Sequence, residues 1–364
     1  MNTRMVEIFP RKNYAADFTE LIDINLVDPI TQLVLTYEPD CAGGVGTAVG
    51  HPVRGIEKIE LVDGSDVLFS LSGAEAHAVD FYHNWAQQLG KLHYLIGNYS
   101  KVIIPLNFGR FLFDEEFAID PAKHNNLQLR IKGDIGACME GNDDGYLTVM
   151  GHVFDQKTVS PRGFIMTKEV KQYTLANSSH EYTDLPLDFP YKQLFLRAQR
   201  YGTAPEDQID TVKLSEDQDK KIPINGLTMT QIIDHVMGKY PTYHEPMVIG
   251  GNAAMFYYFC APTSRVYSQV SEWRPSTVAY QCATFYQAGG RFGIIMSTAG
   301  PNWQVFIQGH VPHGVVPLLP DYSNDPADWF DVGSLKSLRL DVKGAADVGT
   351  AQTAEIIAQQ VRPY

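Results

Sequence analysis

The chain has 364 residues and a formal net charge of −13, with 42 acidic side chains against 29 basic ones. That length fits about two domains, each large enough for its own core, and 44% hydrophobic with 20% charged residues is an ordinary globular composition. So acidic a chain argues against wrapping nucleic acid, which takes lysine and arginine to displace counterions, and no apolar run nears the roughly 20 residues of a membrane-spanning helix.

The first residues, MNTRMVEIFPRKNY, lack the apolar centre of a secretory signal, which suggests cytosolic synthesis. Arg4, Arg11 and Lys12 make this the one locally basic piece. It reads as a solvated N-terminal arm over 1–16, able to touch an acidic membrane or a genome. A first domain is expected over 17–155. Within it, Ala42 to Gly50 is glycine-rich, but Val49 stands where the third glycine of a dinucleotide fingerprint belongs. A loop between strands accounts for it better than a phosphate cradle.

Ile56 to Phe81 reads as a β-hairpin and a helix. Ile59 and Leu61 share one face of a first strand, and Val67, Phe69 and Leu71 one face of a second. Asp63-Gly64 suits the tight turn between them, and Ser72 caps a helix carrying Val79, Tyr82 and Ala86. The chain then repeats itself. Ile209 to Asp234 overlays this stretch without a gap, Ile56 falling on Ile209, Leu61 on Leu214, Asp66 on Asp219 and Gly73 on Gly226. Further segments match in the same order: Pro29 to Leu35 with Pro190 to Leu196, Val102 to Leu106 with Gly314 to Leu318, and Leu127 to Gly133 with Leu338 to Gly344. Two homologous domains in tandem follow, joined by a linker at 156–162, with the second over 163–364. Strand-like runs broken by Gly, Pro, Asn and Asp make both all-β, and eight strands in two sheets with a short helix on one connection fit a jelly roll.

The spacing between matched segments grows after the second helix, so the second domain carries an insertion at about 241–310. Between Met255 and His310 its only charges are Arg265, Glu272, Arg274 and Arg291. Its aromatic residues Tyr257, Tyr258, Phe259, Tyr267, Trp273, Tyr280, Phe285, Tyr286 and Trp303 are candidates for a tower or a subunit contact, because interface cores are rich in aromatics and poor in charge. Extension of the domain's own core accounts for the same composition equally well.

Catalytic signatures fail in turn: there is no P-loop, no GxSxG and no HExxH. A two-barrel metalloenzyme would present an HxH pair, and none occurs; His310 and His313 flank a proline and suit a surface loop, while His77, His83 and His93 suit surface or packing roles. Acidic turns at Glu140, Asn142, Asp143 and Asp144, and at Asp321, Asp325 and Asp328, offer oxygens to a structural calcium but lack the spacing of a helix-loop-helix site. No other cofactor is called for. The scattered Cys41, Cys138, Cys260 and Cys282 suit buried free thiols.

Further stretches carry a resemblance. Ile104 to Arg110 (IPLNFGR), Phe117 to Pro121 and then HNNLQLRIKG, with an ending that closes on Gln360-Val-Arg362-Pro-Tyr364, resemble the double jelly-roll major capsid proteins of adenoviruses, tectiviruses, corticoviruses and similar tailless icosahedral phages. The resemblance covers nearly the whole chain, in strand patterns rather than catalytic motifs. It implies a structural protein and no enzyme: a homotrimer forming a pseudo-hexameric capsomer that tiles an icosahedral virion shell. It further implies neighbouring capsomers, penton or minor capsid proteins and an inner viral membrane as partners, with no sequence-specific nucleic-acid binding and with assembly in the host cytoplasm. Two rivals stand beside it: a bicupin-like or carbohydrate-active two-barrel enzyme, and a glycan-binding module using Trp273 and Trp303.

Overall fold

The computed structural model describes residues 3–40, 48–87, 90–95, 97–139, 144–155, 159–250, 255–272, 282–296, 303–319, 323–349 and 352–364. In its first half β1 (Thr3–Tyr14), β2 (Phe18–Asp23), β3 (Ile30–Pro39), β4 (Ile56–Asp63) and β5 (Asp66–Leu71) lead to helix α1 (Gly73–Asn84). β6 (Leu92–Tyr94), β7 (Val102–Asn107), β8 (Leu127–Gly133) and β9 (Gly145–Phe154) follow. The second half runs β10 (Gly163–Thr174), β11 (His180–Asp184), β12 (Tyr191–Ala198), β13 (Ile209–Glu216) and β14 (Lys221–Thr228) into α2 (Met229–Met237). Next come β15 (Tyr243–Ile249), β16 (Met255–Phe259), β17 (Pro262–Glu272), β18 (Cys282–Ala288), β19 (Arg291–Met296) and β20 (Trp303–Pro312). β21 (Val315–Leu319), β22 (Leu338–Gly344) and β23 (Thr353–Pro363) close the chain.

The strand orders are those of two jelly rolls. The first barrel faces β1-β9-β3-β7 against β2-β8-β4-β5, and the second faces β10-β23-β12-β21 against β11-β22-β13-β14. Register is duplicated along with order. Val34 lies opposite Pro105 as Phe195 lies opposite Pro317, and Ile59 opposite Ile131 as Val212 opposite Val342. Period-two alternation turns every second side chain of each strand inward, and these positions form the core. Leu33, Leu35, Leu129, Leu194, Leu196 and Leu340 are all wholly buried. One apolar cluster runs through both barrels.

The duplicated hairpin differs from its expected overlay. Gly64 turns the first hairpin at φ +61°, but the second spends Asp217 to Lys220 on its turn, with Asp217, Gln218 and Asp219 all at positive φ. Leu214 therefore faces Ile224 as Leu61 faces Phe69, and Val212 faces Leu227 as Ile59 faces Leu71. The cap shifts accordingly, from Ser72 to Thr228 rather than to Asn225. Both caps are capping boxes, Ser72 with Glu75 and Thr228 with Gln231, which satisfy helix N–H groups reciprocally. α1 stops at Asn84, where Trp85 turns left-handed, so Ala86 lies beyond the helix and is exposed.

The N-terminal segment is a strand, not an arm. β1 pairs antiparallel with β9 from Thr3–Phe154 to Tyr14–Gly145, so the first barrel begins at Thr3 rather than at 17. The insertion falls in the second half as expected, as β15 to β20, but its sheet takes in one strand of the first half. Short β6 of the first barrel pairs in parallel with β15, making a sheet β17-β20-β15-β6 beside a second sheet β16-β19-β18. These strands enclose a separate core of Leu92, Tyr94, Met139, Ile249, Phe292 and Ile307 among others. Together they form a strand module with its own core, here named the tower.

Candidate assembly surface

The two barrels are joined edge to edge. β5 and β10 pair in parallel, Phe69 with Thr167 and Ser70 with Lys168, so β2-β8-β4-β5 and β10-β23-β12-β21 become one eight-stranded sheet. Ion pairs flank the joint: Lys58 with Glu169 at 3.1 Å, and the Arg362 guanidinium on Asp66. Hydrogen bonds from Arg362 hold the Asp66 carboxyl below its usual range. α1 seals one side. Every residue from Gly73 to His83 is buried, and the Tyr82 hydroxyl donates to the Val315 carbonyl of the second barrel at 2.8 Å.

At the outer ends the equivalent edges are β1, bonded to β9, and β14, bonded to β13. Both are blunted. β1 carries Pro10, Glu7, Arg4, Arg11 and Lys12, and β14 carries Lys221 and Pro223, residues that discourage another chain from extending the sheet. The three basic residues expected on a free arm are engaged within the barrel instead. Arg4 binds Asp28 at 2.8 Å, Arg11 binds Glu38 at 2.8 Å and lies 3.4 Å over the Tyr146 ring, and Lys12 pairs with Glu20. With their charges paired on an edge strand, they do not form an extended tether to membrane or genome.

The tower aromatics divide by burial. Tyr258, Phe259 and Trp303 are buried in the tower and its base, where they cannot meet another copy of the folded chain. The Tyr258 hydroxyl donates to the Gly250 carbonyl, and Phe259 packs edge-on to Tyr201 of the second barrel with centroids 4.4 Å apart. Tyr257 is half-buried beneath the Arg291 guanidinium, 4.3 Å from its ring. Tyr267 is 61% exposed, and sequence reasoning missed its exposed companions Ile295 and Phe306, whose signal was no stronger than that of any strand residue. Phe285 and Tyr286 lie on β18, while Trp273 and Tyr280 fall outside the described residues.

Two of the acidic residues considered for calcium accept hydrogen bonds within the fold. Asp144 accepts from Asn13 at 2.8 Å and from the Tyr99 hydroxyl at 3.0 Å, and Asp325 accepts from the Ala327 N–H at 2.9 Å. Glu140, Asn142, Asp143 and Asp321 fall outside the described residues. Among the described residues no group of three or more His, Cys, Asp or Glu side chains is arranged to hold a metal ion, and no helix is long and apolar enough to cross a membrane. His313, expected on a surface loop, is buried, as are His77 and His83.

No protein-family model and no curated protein matches the sequence. Solved structures do match along its whole length. The chain is similar to the STIV MCP, with a TM-score of 0.60 at 9% identity, over 99% of this chain and 97% of that one. It is similar to the major capsid protein P2 from Bacteriophage PM2, with a TM-score of 0.55 at 9% identity, over 100% and 98% of the two chains. It is also similar to a chain of the PBCV-1 virus capsid, with a TM-score of 0.57 at 11% identity, over 99% and 94%. At such identities the likeness establishes a shared fold: this chain is a double jelly roll.

Proposed function

We propose that this chain is the major structural protein of an icosahedral viral shell, three copies closing into a capsomer of six barrels. The observation that carries the reading is the whole-length likeness, which takes in both barrels and the tower and is shared with proteins whose described role is a capsid. The internal joint supports it. One chain already sets two similar barrels side by side through β5 and β10, and repetition of that relation between chains gives a closed ring from one gene product. The blunted edges β1 and β14 favour contact between copies through side chains, so that between chains the side-by-side placement of barrels recurs without the continued sheet. Obligate interfaces of this kind bury on the order of thousands of Å².

The role proposed is structural rather than catalytic. Neighbouring capsomers, vertex and minor capsid proteins and an inner viral membrane are the partners, and the shell forms in the host cytoplasm. With Arg4, Arg11 and Lys12 paired on β1, contact with the membrane falls to other surfaces. Light scattering of the purified protein tests the reading. A mass near three times the 40.6 kDa chain, with hexagonal outlines in negative stain, is the expected result. A monodisperse monomer at micromolar concentration overturns it.

A further inference from the structure

Three buried histidines meet where the first barrel, the second barrel and the tower converge. His51 precedes β4, His77 lies on α1, and His313 sits in the turn between β20 and β21. Their relative exposures are 1%, 6% and 2%, and their ring centroids lie 4.8 to 6.2 Å apart. His77 Nδ1 faces His313 Nε2 at 2.9 Å, so one of the two carries the proton of a single hydrogen bond. His51 Nδ1 accepts from the Val53 N–H at 3.1 Å, which leaves its Nε2–H to donate to Glu245 of β15 at 3.0 Å. Tyr243, also on β15, places its hydroxyl 3.5 Å from His77 Nε2 and its ring against Phe81.

We propose that this cluster is a pH-sensitive latch, holding the tower base and second barrel against α1 while His77 and His313 are neutral and releasing them when acid charges these two rings. The charges around His77 and His313 offer these two rings little compensation. Glu245 is the carboxylate directly bonded within the cluster, and its oxygens are taken by His51 and by the Ala261 N–H at 2.7 Å. On α1, Asp80 accepts from Asn84 and Asn107, and Glu75 accepts from the Ser72 N–H. On β12, Arg197 donates to the His313 carbonyl and pairs with Glu355 of β23. Lys101 and His244 line the opening beside His51 and His77. Arg54, Arg200, Glu57 and Asp134 line the groove beside His313, and Cys260 is buried against Glu245. A first added proton places a charge in this enclosure. A second sets N–H against N–H across the His77–His313 contact.

The sign follows from burial. It pushes His77 down to about 3, and it pushes His313 well below the ordinary histidine range, helped by His51, His77 and Arg197. The open state takes up protons near pH 6.5, where the closed state does not. The latch is therefore fully stable above about pH 6.5 and weakens as pH falls toward the depressed values. Each histidine contributes about tenfold per pH unit, so by pH 5 two of them shift the opening equilibrium about thousandfold.

Hydrogen exchange of the full chain at pH 7.5, 6 and 5, corrected for intrinsic chemistry, tests this. Protection of Tyr243–Ile249 and of α1 should fall steeply below pH 6.5, while β4 and β8 hold theirs. The His77→Gln/His313→Gln double variant should lose that dependence over β15. His83→Gln, whose imidazole lies 3.4 Å from Lys192 Nζ rather than in the cluster, should keep it. An unchanged pH dependence in the double variant, or none in the natural sequence between pH 7.5 and 5, overturns the proposal. Imidazole NMR of the natural sequence covers a double variant that does not fold. His77 and His313 neutral in the closed protein at pH 5 supports the latch, and ordinary titration near 6.5 with β15 still protected overturns it.

Discussion

Leu129 and Leu340 provide a matched pair of perturbations. Both are wholly buried on corresponding strands, β8 and β22, and face equivalent leucines, Leu61 and Leu214. Truncation of either to alanine removes about three buried carbons, roughly 2.4 kcal/mol at about 0.8 kcal/mol each, before the cavity term. Their other neighbours differ. Leu129 lies opposite Ile22 on β2, whereas Leu340 lies opposite Thr183 on β11, whose buried hydroxyl lacks a hydrogen-bond partner among the described residues. A cavity beside that hydroxyl can admit a water that satisfies it, and one beside Ile22 cannot. Leu129→Ala should therefore cost about 4 kcal/mol and Leu340→Ala about 2–3 kcal/mol. The barrels share a sheet and one apolar cluster, so both substitutions should move a single urea transition at pH 7.5 and fixed protein concentration, with m unchanged. Their sum should hold to within about 0.5 kcal/mol in the double variant. Two separate transitions, each moved by one substitution, would refute the coupling of the barrels.

The two capping boxes make a second comparison: Ser72→Ala, in a box whose Glu75 is buried, should cost about 1–2 kcal/mol, and Thr228→Ala, at the more exposed α2, about 0.5–1 kcal/mol, both by denaturant midpoint. Glu355→Ala strips Arg197 of a partner 3.1 Å away inside the joint and should cost about 3–5 kcal/mol, whereas Arg197→Met with Glu355→Leu should recover most of the loss. Thermal unfolding of the two variants distinguishes these outcomes. A Glu355→Ala protein as stable as its parent would mean that water reaches Arg197.

Central strands were the most legible feature of the sequence. Leu127–Gly133 matched Leu338–Gly344 residue for residue because both are inner strands, whose alternation is set by burial on one face. The hairpin slip was not legible, because a two-residue shift from Ile222 to Ile224 preserves the same alternation. Nor was β1: Pro10 and its flanking charges protect an edge strand, and on paper that composition matches a solvated arm. Tyr258, Phe259 and Trp303 were drawn toward an interface because a tower core and an interface core share one composition. The histidine cluster gave no linear signal at all, since His51, His77 and His313 meet only once α1, β15 and the β20–β21 turn are packed together.

Where the two repeats diverge, the difference follows what covers them. Counted from their caps, Ala74, Glu75, Ala78, Val79 and Tyr82 of the first repeat correspond to Thr230, Gln231, Asp234, His235 and Gly238 of the second. The first set is buried and mostly apolar; the second is exposed and, Gly238 apart, polar. α1 lies at a joint made within one chain, so its face is covered as soon as the barrels pack and has no need of solubility. α2 holds the corresponding place at the outer end, where its face meets water. An apolar face there would expose a sticky patch on the chain. In the proposed ring of copies, its polarity is what the repeated joint requires between molecules: the same barrel geometry, with contacts that water can satisfy until a neighbour replaces it.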